Sequence, residues 1–168
     1  ITEQLKILHT PKGRLNIIDG INNSVIIDDT YNANPNSTIQ ALIVLKDYQK
    51  INKFNRSIAI LGSMFELGEY TIKGHEEVAN KINELNIDVL VTIGDLAKII
   101  YDKSKVHEKY HIDESKNFKQ LLNKLNIKKD SILIKGSQGI RAEKVTELLM
   151  KNKEDAKNLL VRQDVRWK

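Results

Sequence analysis

The sequence predicts an α/β fold: a mainly parallel sheet of about six strands with helices on both faces, opened by an antiparallel hairpin. Three observations predict it. Residues 57–62, 88–93 and 131–135 are short runs of Ile, Leu and Val without polar alternation, as strands covered on both faces read. Stretches with apolar residues at helical spacing stand between such runs, so successive strands need crossovers and lie parallel. The first two strand-like runs are separated only by Gly20-Ile21-Asn22-Asn23, a polar turn short enough for a hairpin. Together these make the fold Rossmann-like.

In chain order, residues 1–11 read as a short amphipathic lead-in. Residues 13–19 alternate as a first strand that carries Arg14, with Leu15 and Ile17 on one face; residues 24–28 return as the second. Asn34-Pro35 starts a helix, because Asn accepts from the orphan amides and Pro lacks the N–H that the first turn leaves unused. Ile39, Leu42, Ile43 and Leu45 then carry helical spacing through 37–50. A buried strand at 57–62 leads to a helix over 72–86. The strand at 88–93 is followed by a helix opened at Gly94-Asp95 and reaching residue 103. A weak strand at 109–112, flanked by the surface residues His107 and His111, precedes a helix over 114–126. The strand at 131–135 runs into a glycine loop at 136–139 and a helix over 141–151. The tail, 152–168, begins polar and helical and ends in RQDVRWK, with Trp167 as a packing anchor or a contact residue.

The chain is long enough for one domain with a proper core. Aromatics are only 5% of its 168 residues, so Ile, Leu and Val must fill that core. It has no cysteine, which excludes disulfides and thiolate metal sites. No apolar run is long enough for a membrane span and no secretory signal is visible, so a cytoplasmic protein is the expectation. The net charge of +5 comes from lysines scattered among acids, not gathered with aromatics as in nucleic-acid binders. It mildly favours anionic ligands and implies neither a nucleic acid nor a membrane partner. The chain opens mid-pattern at Ile1, as a piece of a longer protein would.

Candidate chemistry gathers at three strand ends: Asp28-Asp29, Gly62-Ser63 and Gly136-Ser137. Parallel strands put all three along one edge of the sheet, where ligands bind in open α/β folds. Asp28 and Asp29 could equally solvate a strand end, and Asn34 could merely cap. Gly136-Ser137-Gln138-Gly139 has the form of an anion nest between strand and helix, or of an ordinary connecting loop. Neither GxxxxGK[ST] nor GxGxxG occurs in the chain, which excludes a Walker loop and a dinucleotide fingerprint. His75-Glu76 lacks the second histidine of HExxH, Ala79 standing there, so a zinc protease is not expected. No nucleophilic triad or paired-carboxylate arrangement is defensible from spacing.

The string DDTYNANP, residues 28–35, resembles the signature that opens the C-terminal domain of the Mur ligases in its MurF form. ILGSMFELGEY (60–70) and LIKGSQGIRAEKV (133–145) resemble two further segments in the same order, so the resemblance covers roughly residues 1–150. It implies a domain over 1–151, leaving 152–168 as a tail without an assigned role. It implies part of an ATP-dependent ligase that joins D-alanyl-D-alanine to UDP-MurNAc-tripeptide through an acyl phosphate, in peptidoglycan synthesis. By this similarity Arg14, Asp29, Tyr31, Asn32 and Asn34 line the ATP side, while Lys135, Ser137 and Arg141 face the incoming D-alanyl-D-alanine. No residue here is expected to be catalytic or a metal ligand. The magnesium ligands belong to a central domain which, with an N-terminal domain, is the implied intramolecular partner. Two departures stand out: Gln138 replaces the Arg of the usual KGSRG, and Ser63 replaces the Asp of LGDMLELG. Arg141 is the residue placed to substitute for the missing arginine. The alternatives are another Mur or folylpolyglutamate ligase-type domain, whose Mur members carry a histidine-containing DYxH instead of YNANP, or a non-catalytic α/β binding module.

Overall fold

The computed structural model describes residues 11–167, so the lead-in expected over 1–11 lies outside the described residues except for Pro11. Among the described residues the sheet has six strands: β1 (Asn16–Asp19), β2 (Val25–Asp29), β3 (Ser57–Gly62), β4 (Val89–Ile93), β5 (Glu108–Ile112) and β6 (Ser131–Lys135). Their spatial order is β1-β2-β6-β3-β4-β5. β1 pairs antiparallel with β2, and every other neighbour is parallel. The expected mixed sheet opened by a hairpin is therefore what forms. The last strand in sequence sits in the middle, between β2 and β3.

Helices α1 (Pro35–Ile51), α2 (Thr71–Leu85) and α3 (Lys98–Lys103) cover one face. Leu42, Leu45, Val78, Ile82 and Ile100 pack there on Ile27, Ala59, Leu61, Leu90 and Leu133. On the other face lie α4 (Leu122–Leu125), α5 (Glu143–Leu149) and α6 (Ala156–Leu159). Leu125, Val145, Leu149 and Ala156 pack there against Ile26, Ile58, Ile60, Val91 and Ile132. Alternate residues of each inner strand thus feed two cores, which is why those strands read as unbroken apolar runs.

Several elements differ from the sequence reading. Gly13 and Leu15 hold left-handed φ of 69° and 51°, so the extended run begins at Asn16 and Arg14 lies in the turn before β1. Leu15 and Ile17 share the exposed face, and Ile18 is the residue that enters the core. His111 lies inside β5, with its Nδ1 2.9 Å from Thr92 Oγ1. The helix expected over 114–126 is mostly a 3-10 run, Ser115–Leu121, with one α turn after it. The last crossover is also broken: a 3-10 turn at Gln138–Ile140 is followed by Arg141 at φ 57°, and only then by α5.

Candidate functional site at the carboxyl edge of the sheet

Strand order decides where a crevice opens. β2 leaves the sheet into α1 on one face, and β6 leaves toward α5 on the opposite face. β3 leaves into α2 on the first face again. Neighbouring strands whose connections part in this way leave a gap at their carboxyl ends. Here two gaps form, one on each side of β6.

The first is a cleft of about 500 Å³ lined by Arg14, Leu15, Asp29, Tyr31, Asn32, Asn34, Ser37, Gln40, Ala41 and Lys135. Asp29 and Lys135 are register partners on adjacent parallel strands, so both side chains emerge on the α1 face. Lys135 Nζ donates to Asp29 Oδ2 at 2.6 Å and to the Asn32 carbonyl at 2.8 Å. The lysine side chain is only 3% exposed, so the carboxylate and the carbonyl replace the water it has lost. Asp29 Oδ1 also accepts from the Leu15 N–H at 3.3 Å, which ties the Arg14 turn to the end of β2. A second tie runs from the Tyr31 N–H to the Gly13 carbonyl at 3.0 Å. A Cβ on Gly13 would stand 2.9 Å from that Tyr31 nitrogen, so the two turns meet only because residue 13 is glycine. The Arg14 guanidinium lies 4.5 Å from the centre of the Tyr31 ring, and that ring is half exposed.

Asn34 does cap α1. Its Oδ1 accepts from the Ser37 N–H at 2.9 Å, and Ser37 Oγ accepts from the Asn34 N–H at 3.2 Å, a reciprocal capping box. The cap oxygen is thereby used, and the amide nitrogen is the part of Asn34 left for a ligand. Ser37, Gln40 and Ala41 follow from this start at helical spacing on the cleft side. Sequence reasoning missed them, although their spacing from Asn34 on one helix face was the available signal.

The second cleft, about 380 Å³, is lined by Asn32, Phe65, Glu66, Ser137, Gln138, Gly139 and Trp167. Asn32 borders both clefts. Ser137 is buried here: its Oγ accepts from the Phe65 N–H at 2.9 Å and its own N–H donates to the Ser63 carbonyl at 3.2 Å. The N–H groups of Ile140 and Arg141 turn back onto Ser137 and Gln138. These bonds close the loop at Ile140 and Arg141 onto its own carbonyls, and the helix beyond it has only seven residues. Its glycines serve close approach: a Cβ on Gly62 would stand 2.7 Å from Ile140 Cγ2 and 3.1 Å from the Gly136 Cα. Arg141 does not extend into either cleft. It pairs with Glu143, donates to the Trp167 carbonyl at 2.8 Å and lies 5.3 Å from the indole centre. Thus Lys135 joins the Arg14–Asn34 group around the first cleft, Ser137 borders the second, and Arg141 stands behind it.

Other residues hold the rim from beneath. Ser63 is buried, and its Oγ accepts from the Ala97 N–H at 3.1 Å, so it supports the start of the α3 segment and does not face a ligand. His75 is buried between the Thr71 carbonyl, 2.7 Å from Nδ1, and the Met64 N–H, which donates to Nε2 at 3.1 Å. One nitrogen must donate and the other accept, so the ring is neutral, and burial holds its pKa below the usual histidine range. Asp28 points away from the clefts. Thr30 and Thr146 donate to its Oδ1 at 3.0 and 2.8 Å, while Oδ2 is buried without a partner among the described residues. Loss of water pushes this carboxyl up to about 6, against the two threonine bonds that pull it down. Among the described residues no three His, Cys, Asp or Glu side chains gather as a metal site, and no helix is long and apolar enough to cross a membrane.

Residues 13–138 match the family model for the Mur ligase, glutamate ligase domain. The chain is 36% identical over 130 residues to the UDP-N-acetylmuramoyl-tripeptide–D-alanyl-D-alanine ligase of Buchnera aphidicola from Acyrthosiphon pisum, covering 77% of this chain and 27% of that protein. It is 35% identical over 141 residues to the same-named ligase of Rickettsia prowazekii, covering 81% and 29%. Among solved structures it resembles the MurF ligase of Thermotoga maritima in complex with ADP: TM-score 0.69, 29% identity, 93% of this chain and 34% of that one. A MurF structure from Acinetobacter baumannii gives a TM-score of 0.73 at 27% identity, over 89% of this chain and 33% of the other. The chain thus spans about a third or less of the proteins it matches. By the sequence match over residues 13–138 and the shared architecture, the chain belongs to the Mur ligase family, as its C-terminal, glutamate ligase domain.

Proposed function

We propose that this chain is the C-terminal domain of a cytoplasmic ATP-dependent ligase that adds D-alanyl-D-alanine to UDP-MurNAc-tripeptide in peptidoglycan synthesis. The observation that carries the reading is the first cleft, where an arginine, an exposed aromatic ring, two asparagines and a lysine–aspartate pair face one another at the carboxyl edge. An aromatic face beside a guanidinium suits a nucleotide, the ring for the base or ribose and the guanidinium for phosphate. Lys135 is already neutralised by Asp29, so among the described residues lining the cleft Arg14 is the cation left for the phosphate side. A similar structure in complex with ADP supports a nucleotide as the ligand.

The ligands of the accompanying magnesium are proposed to lie in the central domain of the same protein. ATP activates the tripeptide carboxylate as an acyl phosphate. Within this chain Arg14, Asp29, Tyr31, Asn32 and Asn34 would bind and orient the nucleotide. Ser137 and Arg141 would act on the D-alanyl-D-alanine side, Ser137 at the cleft wall and Arg141 by holding Trp167. Lys135 fixes the Asn32 carbonyl between the two. Closure of the domain would position the attacking amine and keep water from the acyl phosphate. The isolated chain is expected to bind ATP weakly and to turn over neither ATP nor peptide. Assay of the purified chain beside the full-length ligase tests this: activity in the full protein and none in the chain supports the division of labour, and turnover by the chain contradicts it. In the full protein Arg14→Ala should raise the KM for ATP about tenfold or more, as expected for a lost charge-assisted phosphate contact.

A further inference from the structure

The tail beyond α5 lies outside the family match, yet its side chains reach the ligand rim. Arg162 Nη1 donates to the Thr30 carbonyl at 3.0 Å and Nη2 to the Tyr31 carbonyl at 2.6 Å. The same guanidinium pairs with Glu143 at 3.0 Å, and both side chains are almost fully buried. Glu143 uses its other oxygen for Arg141. Trp167 covers the pair from outside, with its ring 5.3 Å from the Arg141 guanidinium and 5.9 Å from that of Arg162. Both arginines hold left-handed backbone, φ 57° and 56°, which costs side-chain-bearing residues energy and persists only where surroundings impose it. The tail backbone is bent so that Arg162 ends beneath the Tyr31 turn.

We propose that Arg162 is a positioning residue for the first cleft: anchored on buried Glu143 and roofed by Trp167, it fixes the Thr30–Tyr31 turn whose ring and neighbouring asparagines form the cleft wall. A fork with parallel donors on two successive carbonyls holds that turn in one orientation, which a single-point ammonium cannot do equally well. The free Tyr31 carbonyl would otherwise be able to turn toward the cleft and displace the ring on which Arg14 rests. The geometric part of the inference stands independently; its kinetic consequence rests on the nucleotide reading above.

Two experiments test it with Arg162→Gln and Arg162→Lys. In the 168-residue chain, amide hydrogen exchange of Arg162→Gln should speed about tenfold or more at Tyr31, whose N–H bonds the Gly13 carbonyl, with β4 amides unchanged. Arg162→Lys should fall between it and the parent. Unchanged exchange at Tyr31, or equal acceleration throughout the sheet in both variants, overturns the proposal. In the full-length ligase Arg162→Gln should raise the KM for ATP about tenfold with a smaller loss in kcat, and Arg162→Lys should recover part of it. An unchanged KM in Arg162→Gln beside a raised KM in Arg14→Ala overturns the positioning role alone. Unchanged values in both overturn it together with the nucleotide reading.

Discussion

Lys135 shows how much one side chain at a strand end can decide. Its position after Ser131–Ile134 continues a buried run, so its ammonium is delivered into a site without bulk water and survives there only with Asp29 and the Asn32 carbonyl. Removing one member leaves the other buried and unpaired. Asp29→Asn should therefore cost about 3 kcal/mol in chemical denaturation, while the double variant Asp29→Asn/Lys135→Met should recover much of that loss. Two titrating groups beneath the rim oppose each other. Asp28 has its folded pKa raised to about 6, so its stabilising contribution is full below about pH 4 and is lost as pH rises through about 6, roughly 3 kcal/mol in all. His75 has its folded pKa lowered, so its contribution is present above about pH 6.5 and lost as pH falls toward the depressed value. The parent profile is their difference. Denaturation from pH 4 to 8 should show Asp28→Asn losing the decline above pH 4 and His75→Gln losing the decline on acidification. Identical profiles in all three proteins would contradict both assignments.

At the scale of elements, the carboxyl ends of β3 and β6 touch through bare backbone at Gly62 and Gly136, and Ile140 closes over them. Gly62→Ala drives a methyl into Ile140 and the Gly136 Cα, and neither strand end can give without moving the other. A loss of about 1–3 kcal/mol is expected, read as a fall in thermal midpoint, with the 63–65 and 136–140 loops the first to exchange amides. The strands themselves were legible: β3, β4 and β6 are apolar runs bounded by Gly, Asp or Ser, and the structure keeps each. The helix after Glu114 was not, because residues 115–121 carry helical spacing but turn with a 3-10 period, a difference in hydrogen-bond register that side-chain pattern does not encode. Nor was the break at Arg141, since a left-handed arginine is imposed by Glu143 and Trp167 and has no local signature.

For the molecule as a whole, the sequence made clear that three loops share one edge, since parallel strands require it. It did not reveal that β6 inserts between β2 and β3, because strand order depends on which long-range pairings pack best. That insertion splits the edge into two clefts and places Lys135 with Arg14, away from Ser137. The role of the tail was equally hidden: RQDVRWK has no periodicity, and Arg162 acquires its task only from Glu143 and the backbone of a turn about 130 positions earlier. A rim assembled in this way, with ATP chemistry proposed to reside in neighbouring domains, accounts for a chain rich in binding groups.

The most direct measurement is a titration of the isotopically labelled 168-residue chain with ADP, followed by backbone amide shifts. Shifts concentrated at residues 13–15, 29–34 and 135–137, and abolished by Arg14→Ala, are the predicted result. Shifts centred elsewhere in the domain, or a response at this rim that is indifferent to Arg14, would contradict the account.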